Sequence, residues 1–414
     1  MKIKLLLLTA VFIITSENLL AQKNLTLEEA VNLALTQSDQ AKLSEEKVNS
    51  AQHKLQVTKN NQYPDFDISG KYSYLSNADV DLQLNTGQNT QPGEGSAGGE
   101  SPEINQLLLG QANLSMPLFA GFKIHNAVKA GENNLKAEEF SSLNENEKLA
   151  LETIVTYVSL YKARKVVDLI EESQKNAAQR VKDFTAMEKN GLLARNDLLK
   201  AQLQESNVQL SLEEARKNAE ILNYRLITLL KLPEETRICI SEADLGMVPS
   251  NMTPEENSRK DLEALKFQAK AAQNGIKIAK GDYYPSIAIV GGYMALDVQN
   301  ALSISNAMNI GVGVSYNLAE IFKNKSDVKV AESKARELEK TIDIASDKIK
   351  VQVRNAEQDY DLALRKLEVY TTSVQQAVEN YRIVKDKYDN GLVDTNDLLE
   401  ADLQQLQTKL EMAN

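Results

Sequence analysis

The feature that most restricts what this chain can fold into is an internal duplication. Lys189–Gln204 (KNGLLARNDLLKAQLQ) returns 200 residues later as Asp389–Gln404 (DNGLVDTNDLLEADLQ), with Gly, Leu, Asn-Asp-Leu-Leu, Ala and Leu-Gln in matching places. At the same spacing, Leu114–Lys123 (LSMPLFAGFK) aligns with Val314–Lys323 (VSYNLAEIFK). A repeat at a fixed offset predicts one structural unit that is used twice.

The two copies differ in the length of one loop. Tyr63-Pro64 aligns with Tyr284-Pro285 at a spacing of 221, so 21 extra residues belong to the first copy, where a Gly- and Gln-rich stretch runs over Asn85–Pro102. The repeat and the placement of Pro and Gly predict four segments: a signal peptide over 1–21, a first repeat over 22–232, an equatorial belt segment over 233–256 and a second repeat over 257–414. The first repeat is predicted to contain a helix, a β-hairpin about 64–118, a long helix about 120–190 and a return helix. The second is predicted to contain a helix, a β-hairpin about 285–318, a long helix about 320–390 and a return helix truncated at 414.

The N-terminus has the features of a secretory signal. Lys2 and Lys4 precede the apolar run Leu5–Ile14, and the small Ala21 provides a cleavage position. The apolar run is too short to cross a bilayer as a helix, and no later apolar run reaches the necessary length, so any membrane crossing must be made by strands. The net charge of −11 argues against a nucleic-acid partner, since nucleic acid attracts basic surfaces.

Long stretches of the chain have a helical period. From Val328 to Tyr388 the apolar residues step mainly by threes and fours, which predicts one coiled-coil-like helix. The corresponding stretch Lys123–Lys189 would be about 100 Å long at the rise of an α-helix. Thr26–Asn61 and Asn196–Leu232 are predicted helices of about half that length, and Glu256–Lys280 is a further helix of the second copy.

Four segments instead alternate with period two, namely Asp65–Tyr74, Leu108–Met116, Ser286–Ala295 and Met308–Tyr316. Each has one apolar face and one small or polar face over about ten residues, which is what a membrane β-strand needs. Four strands of a soluble sandwich with one solvated face are the alternative interpretation. If the strands do contact lipid, four of them cannot close a barrel, so the chain must oligomerise: two copies give eight strands, and three give twelve with room for a channel.

The two hairpins between long helices, the doubled G-L-x-x-x-N-D-L-L tip and the Tyr-Pro before each hairpin resemble the TolC-like outer-membrane efflux proteins. The resemblance covers essentially the whole mature chain. It implies a mainly α fold with membrane β: a homotrimer whose long coiled-coil helices form an α-barrel, continuous with a 12-stranded β-barrel of four strands per chain. It further implies the outer membrane of a Gram-negative bacterium as the location, with the helices extending into the periplasm.

The function implied by the resemblance is a passive exit duct of a tripartite efflux or type I secretion system. The duct would conduct small molecules or proteins and dock to a periplasmic adaptor and to an inner-membrane pump or ABC exporter. A secreted trimeric coiled-coil scaffold or adhesin without a pore is the alternative. No phosphate-binding loop, metalloprotease motif or nucleophile elbow occurs, so we expect no enzyme, cofactor or metal site.

The resemblance also implies a gate beyond the second tip. Asp397 and Glu400 match the carboxylates that narrow the tunnel in that family, and Tyr388 matches the aromatic near the gate. Three residues apart, the two carboxylates share one helix face, so three copies of each would favour cations. Compensation of a helix dipole is the alternative role of Asp397. Val393 replaces the Arg that holds the tip closed in some members.

The two Gly-Leu turns are the predicted contact points for the adaptor. Gly permits the chain reversal, and an exposed Leu at a tip could enter a groove on a partner helix; a Leu that packs within its own hairpin is the alternative. The docking residues implied by position are Gly191, Leu192, Asn196, Asp197 and Leu198 in the first tip, and Gly391, Leu392, Asn396 and Leu398 in the second. Because the first copy continues to Leu232, we expect the natural protein to extend about 18 residues beyond Asn414.

Overall fold

The computed structural model describes residues 22–76, 105–240, 245, 259–299 and 302–414. The predicted signal peptide and the predicted Gly- and Gln-rich loop lie outside these residues, as does most of the predicted belt segment. The chain divides into two compact units, each of which takes segments from both sequence repeats. One unit comprises Met1–Lys47, Ser141–Asp261 and Ala345–Asn414, and the other comprises Val48–Phe140 and Leu262–Ile344.

The order hairpin, long helix, return helix occurs twice. The helices of the described residues are α1 (Leu27–Gln37), α2 (Asp39–Asn60), α3 (Lys123–Lys189), α4 (Arg195–Leu229), α5 (Lys260–Lys280), α6 (Glu320–Asp389) and α7 (Thr395–Ala413). The strands are β1 (Gln22–Asn24), β2 (Asp65–Tyr74), β3 (Gln106–Ala120), β4 (Arg237–Cys239), β5 (Ser286–Val298) and β6 (Leu302–Ser315).

None of the helices in the described part of the chain combines the length and the apolar character that a membrane crossing would need.

The predicted helix Thr26–Asn61 is wrong in one respect, because it is interrupted at Ser38. Ser38 has an extended backbone (φ −65°, ψ 149°) and is 2% exposed. Its backbone N–H still donates to the Ala34 carbonyl, while its hydroxyl accepts from the N–H of Ala41. One serine therefore ends α1 and caps the start of α2, a role that its short side chain performs well.

The second unit contains the predicted hairpins, joined into one antiparallel sheet of order β2-β3-β5-β6. Its register places Phe66, Leu114, Gly291 and Ile310 in one row across the four strands. Apolar residues of this face are strongly exposed in the single chain, with Ile310 at 83%. The face is thus apolar and uncovered, which is the pattern the period-two segments predict.

Strand β3 is longer than its period-two segment and contains a proline. Pro117 falls at an irregularity in the pairing of β3 with β5, where the register shifts between Pro117 and Phe119. A central strand tolerates proline at such a bulge, because the missing N–H is not required there.

The first unit has its main hydrophobic core around Tyr157 of α3, which is fully buried among Leu25, Leu160, Leu226 and other apolar side chains. The Tyr157 hydroxyl donates to the Leu25 carbonyl, and the parallel pairing of β1 with β4 lies beside it. A buried phenol needs such a partner, so this hydrogen bond fixes the start of the described chain on α3.

Candidate functional site: the two helix tips

Both tips end in the same backbone motif. Helix α3 is followed by Gly191 (φ +74°) and α6 by Gly391 (φ +71°), in the left-handed region that glycine adopts without a steric cost. The N–H of Leu192 donates to the Met187 carbonyl at 2.9 Å. The N–H of Leu392 likewise donates to the Lys387 carbonyl, so each tip is a Schellman motif with Gly at its left-handed position.

The leucines that follow the two glycines are exposed. A hydrophobic residue at this place in a Schellman motif commonly packs back on its own helix. Here the side chains of Leu192 and Leu392 are both 73% exposed, so neither is buried by its own hairpin. Of the two interpretations of these residues, the geometry favours leucines that are free to contact a partner.

A small hydrophobic cluster lies below the tips and joins the two repeats. Leu198 of α4 and Leu398 of α7 are 1% and 5% exposed and pack with Phe184 of α3. Tyr388 of α6 is half-buried, and its ring centroid lies 5.9 Å from that of Phe184. Leu198 and Leu398 therefore position the tips from inside, while the adjoining Asn196 and Asn396 are exposed.

The two predicted gate carboxylates of the second tip lie outside this buried cluster. Asp397 and Glu400 are both exposed on α7. Asp394 caps the helix, since its carboxylate accepts from the N–H groups of Asn396 and Asp397 at 2.8 and 3.1 Å. Because Asp394 already satisfies these N–H groups, Asp397 is not needed as the cap, although it still lies in the first turn, where the helix dipole favours a carboxylate.

Lys200 of α4 bridges the two tips. Its ammonium donates to the Asn396 side chain at 2.9 Å and lies 3.4 Å from the Asp197 carboxylate. The repeat partner of Lys200 is Glu400, so the duplication has diverged to a cation in one tip and an anion in the other. The structure thus brings Asp197 and Asn396 together through a residue that the sequence analysis did not select.

The sequence analysis also missed a buried ion pair below the tips. Arg180 of α3 donates to the Asp402 carboxylate of α7 at 2.9 Å, with side chains only 9% and 10% exposed. Arg180 also reaches the Tyr381 hydroxyl of α6 at 3.4 Å, and Gln204 of α4 donates to Asp402 at 3.3 Å. One cluster of polar side chains therefore connects four helices.

Electrostatics favour the charged form of the Arg180 guanidinium in this cluster. Burial by itself lowers the pKa of Arg180, but the hydrogen bond and the charge of Asp402 more than offset this, so the pKa of the guanidinium is raised. The sequence repeat contained a signal for this pair. Asp402 aligns with Gln202 and Arg180 aligns with Asn380 in the other copy, so both charges are specific to one copy. A new charge beside a predicted core stripe is a reason to look for a partner.

In the described ranges no three His, Cys, Asp or Glu side chains come together in a way that could hold a metal ion.

The fold is that of known outer-membrane channels. The structure of the outer membrane protein VceC from Vibrio cholerae matches with a TM-score of 0.73 at 15% identity, over 94% of this chain and 92% of that chain. The Campylobacter jejuni CmeC outer membrane channel matches with 0.75 at 18% identity, over 97% and 86%. The open state of the Neisseria gonorrhoeae MtrE outer membrane channel matches with 0.67 at 16% identity, over 94% and 86%.

Family membership follows from the amino-acid sequence. The profile of the outer membrane efflux proteins matches residues 30–230 and 255–414, and this chain belongs to that family. Comparison with curated proteins finds no match. Members of the family are channels rather than enzymes, and in general they are homotrimers that work with adaptors and inner-membrane pumps. Four strands per chain fit one part of the β-barrel of such a trimer.

Proposed function

We propose that three copies of this chain form a passive exit duct, with the sheet in the outer membrane of a Gram-negative bacterium and the helices in the periplasm. The observation that carries this proposal is the four-stranded sheet, in which one face is apolar and exposed while both edge strands, β2 and β6, lack a partner strand within the described chain. In lipid, unpaired edge groups cost several kcal/mol each, roughly, so the edges must be paired by other copies.

Three copies supply twelve strands, which leave room for a channel, whereas two copies would supply eight and a barrel filled by side chains. The face opposite the apolar one supports a water-filled interior. It carries Asp65, Asp67 and Lys71 on β2, and the Asn113 amide donates to the Asp67 carboxylate at 3.2 Å. Charged residues on the inner face would tune which solutes pass.

The exposed acids Asp397 and Glu400 of α7 form the narrow part of the proposed duct. Three copies bring six carboxylates around one axis, where they attract cations and repel one another. The Lys200–Asn396 hydrogen bond and the Arg180–Asp402 pair hold the second tip against the first within each chain. Channel opening then requires these contacts to be weakened or moved as a unit.

The exposed leucines of the two turns are the contact points for a periplasmic adaptor, which connects the duct to an inner-membrane transporter. A leucine on a rigid turn loses little conformational freedom when it enters a groove on a helical partner. The energy for transport comes from that transporter, since passage through the duct needs no chemical step.

The proposal is tested by extracting the protein from outer-membrane fractions and measuring its mass in detergent and its electrophoretic migration with and without heating. We expect a heat-modifiable trimer that forms cation-selective channels in planar bilayers. A protein that remains monomeric and water-soluble without detergent would overturn the duct. A trimer that forms no channel would instead favour the scaffold.

A further inference from the structure

The apolar face of the sheet contains a groove of about 410 Å³. Its lining includes three small residues, Ala112 of β3 and the adjacent Gly291 and Gly292 of β5. The larger residues of the lining are Phe66, Leu114, Tyr293, Met308, Asn309 and Ile310. No charged side chain lines the groove.

The backbone does not need a glycine at position 291. The glycines with a left-handed backbone in the described chain are Gly121, Gly191 and Gly391, so Gly291 has a conformation open to any residue. A Cβ at this position would come no closer than 3.6 Å to its neighbours, which is an ordinary contact distance. Glycine weakens a strand interior and often marks the close approach of a ligand. Its absent side chain here is what leaves the groove open.

A hydrogen bond fixes the position of Tyr293, one of the residues that line the groove. The Tyr293 hydroxyl donates to the Asn306 side chain at 2.9 Å, which fixes the ring at the edge of the groove. Asn306 has a left-handed backbone (φ +59°) and lies where the pairing of β5 with β6 shifts register. Bulges of this kind re-aim side chains beside binding sites. The wall is thus pre-organised in the single chain.

We propose that this groove binds one acyl chain of a phospholipid. The inference rests on the proposed function, in which the apolar face contacts the membrane. The lining carries no charge and is mainly apolar, which favours a flexible, uncharged, apolar ligand. The exposed Ile68 and Val312 extend the apolar surface on either side, as expected for a ligand that arrives from lipid. Phe66 lies one residue from the end of β2 that follows α2, which is the periplasmic end in the proposed orientation, while Ala112 and Tyr293 lie near the middle of β3 and β5. The groove therefore runs inward from the periplasmic side, from which a phospholipid acyl chain would enter it.

The chain contains no tryptophan, so a single introduced one reports on its own surroundings. Phe66→Trp places the reporter in the groove wall, and Val314→Trp places it elsewhere on the same face. Each protein is reconstituted in phospholipid vesicles that contain a small, increasing fraction of phospholipid with brominated acyl chains, which quench tryptophan. Gly291→Leu and, independently, Ala112→Leu fill the groove, while Gly70→Leu adds the same side chain to this face where no atom lies within 4 Å of its Cβ.

We expect the fluorescence of Phe66→Trp to be quenched more steeply than that of Val314→Trp at low bromolipid fraction. Gly291→Leu or Ala112→Leu should abolish this difference, whereas Gly70→Leu should not. Native mass spectrometry should show one fewer retained phospholipid per chain for Gly291→Leu. Equal quenching of both reporters would overturn the groove and leave membrane insertion intact. No quenching of either would overturn both proposals. Lipopolysaccharide retained in place of phospholipid would overturn the choice of ligand.

Discussion

At the scale of single residues, the Arg180–Asp402 pair is the most informative contact of the tips. Asp402→Ala leaves a buried guanidinium without its carboxylate, and we expect the local free energy of opening of α7 to fall by about 3 kcal/mol or more. Native-state hydrogen exchange of the α7 amides measures this. The exposed pair Lys340–Asp343 provides the control, since Asp343→Ala should leave exchange unchanged.

If charge pairing is the cause, the double substitution Arg180→Met with Asp402→Leu should restore much of the protection, because two apolar side chains can replace a buried ion pair at little cost. Protection that stays low in the double variant would show that the wider hydrogen-bond cluster, including Tyr381 and Gln204, matters more than the pair.

The proposed gate depends on two residues of each chain, Asp397 and Glu400. Removal of six carboxylates from one constriction in Asp397→Ala with Glu400→Ala should raise single-channel conductance and weaken block by divalent cations, because less negative charge faces the axis. Planar-bilayer recording measures both. Glu45→Ala with Glu46→Ala removes the same charge from an exposed part of α2 and should alter neither quantity. Similar recordings for both double variants would leave Asp397 with its helix-dipole role.

At the scale of elements, the tip turns depend on their glycines. In Gly191→Ala or Gly391→Ala the new Cβ meets no atom within 4 Å, so the cost is confined to the left-handed backbone and is about 1–2 kcal/mol per tip. Gly275→Ala is a control of opposite sign, since this residue lies within α5 and alanine favours a helix by about 0.5–1 kcal/mol. Thermal unfolding midpoints should move in opposite directions; a loss in both would point to packing instead.

The exposed leucines of the tips should govern adaptor binding. Leu192→Ser with Leu392→Ser should weaken binding by about tenfold or more, which corresponds to roughly 1.4 kcal/mol of lost apolar burial. A photo-crosslinker placed at either position first captures the adaptor, and titration of the captured protein then gives the affinity. Leu43→Ser with Leu210→Ser alters two leucines that are exposed elsewhere, at 56% and 62%, and should not change it. Equal loss in both would mean that the tips are not the contact.

Elements were predictable from the sequence where a local pattern determines them. Asp65–Tyr74 is a strand with the predicted bounds, because its period-two alternation is unbroken. Helix α3 ends at Lys189, one residue before the predicted 190, because Gly191 follows and ends the helix. Ser38 was missed since a serine within a helical pattern signals a break only when its capping partners are known. Leu198 and Leu398 were taken with the docking residues, yet their burial depends on packing between repeats, which periodicity within one repeat does not specify.

At the scale of the whole molecule, the sheet explains why the proposed duct would need more than one copy of the chain. Each edge strand offers backbone groups that only another strand can satisfy in lipid, so insertion and assembly are one process. The face that contacts lipid can be tested independently of the tips. Neighbouring residues of β6 lie on opposite faces of the sheet, so the same substitution can be made on each face.

Val312 lies on the apolar face and is 65% exposed, while its neighbour Gly311 lies on the opposite face, where a Cβ would meet no atom within 4 Å. Val312→Arg should destabilise the inserted protein by about 2–4 kcal/mol if it lies near the middle of the bilayer, whereas Gly311→Arg faces water and should cost little. The folded fraction in phospholipid vesicles across a urea series measures both. Equal losses would place both faces in the same solvent and would return the strands to a soluble sandwich, because only a lipid–water difference across the sheet separates the two substitutions.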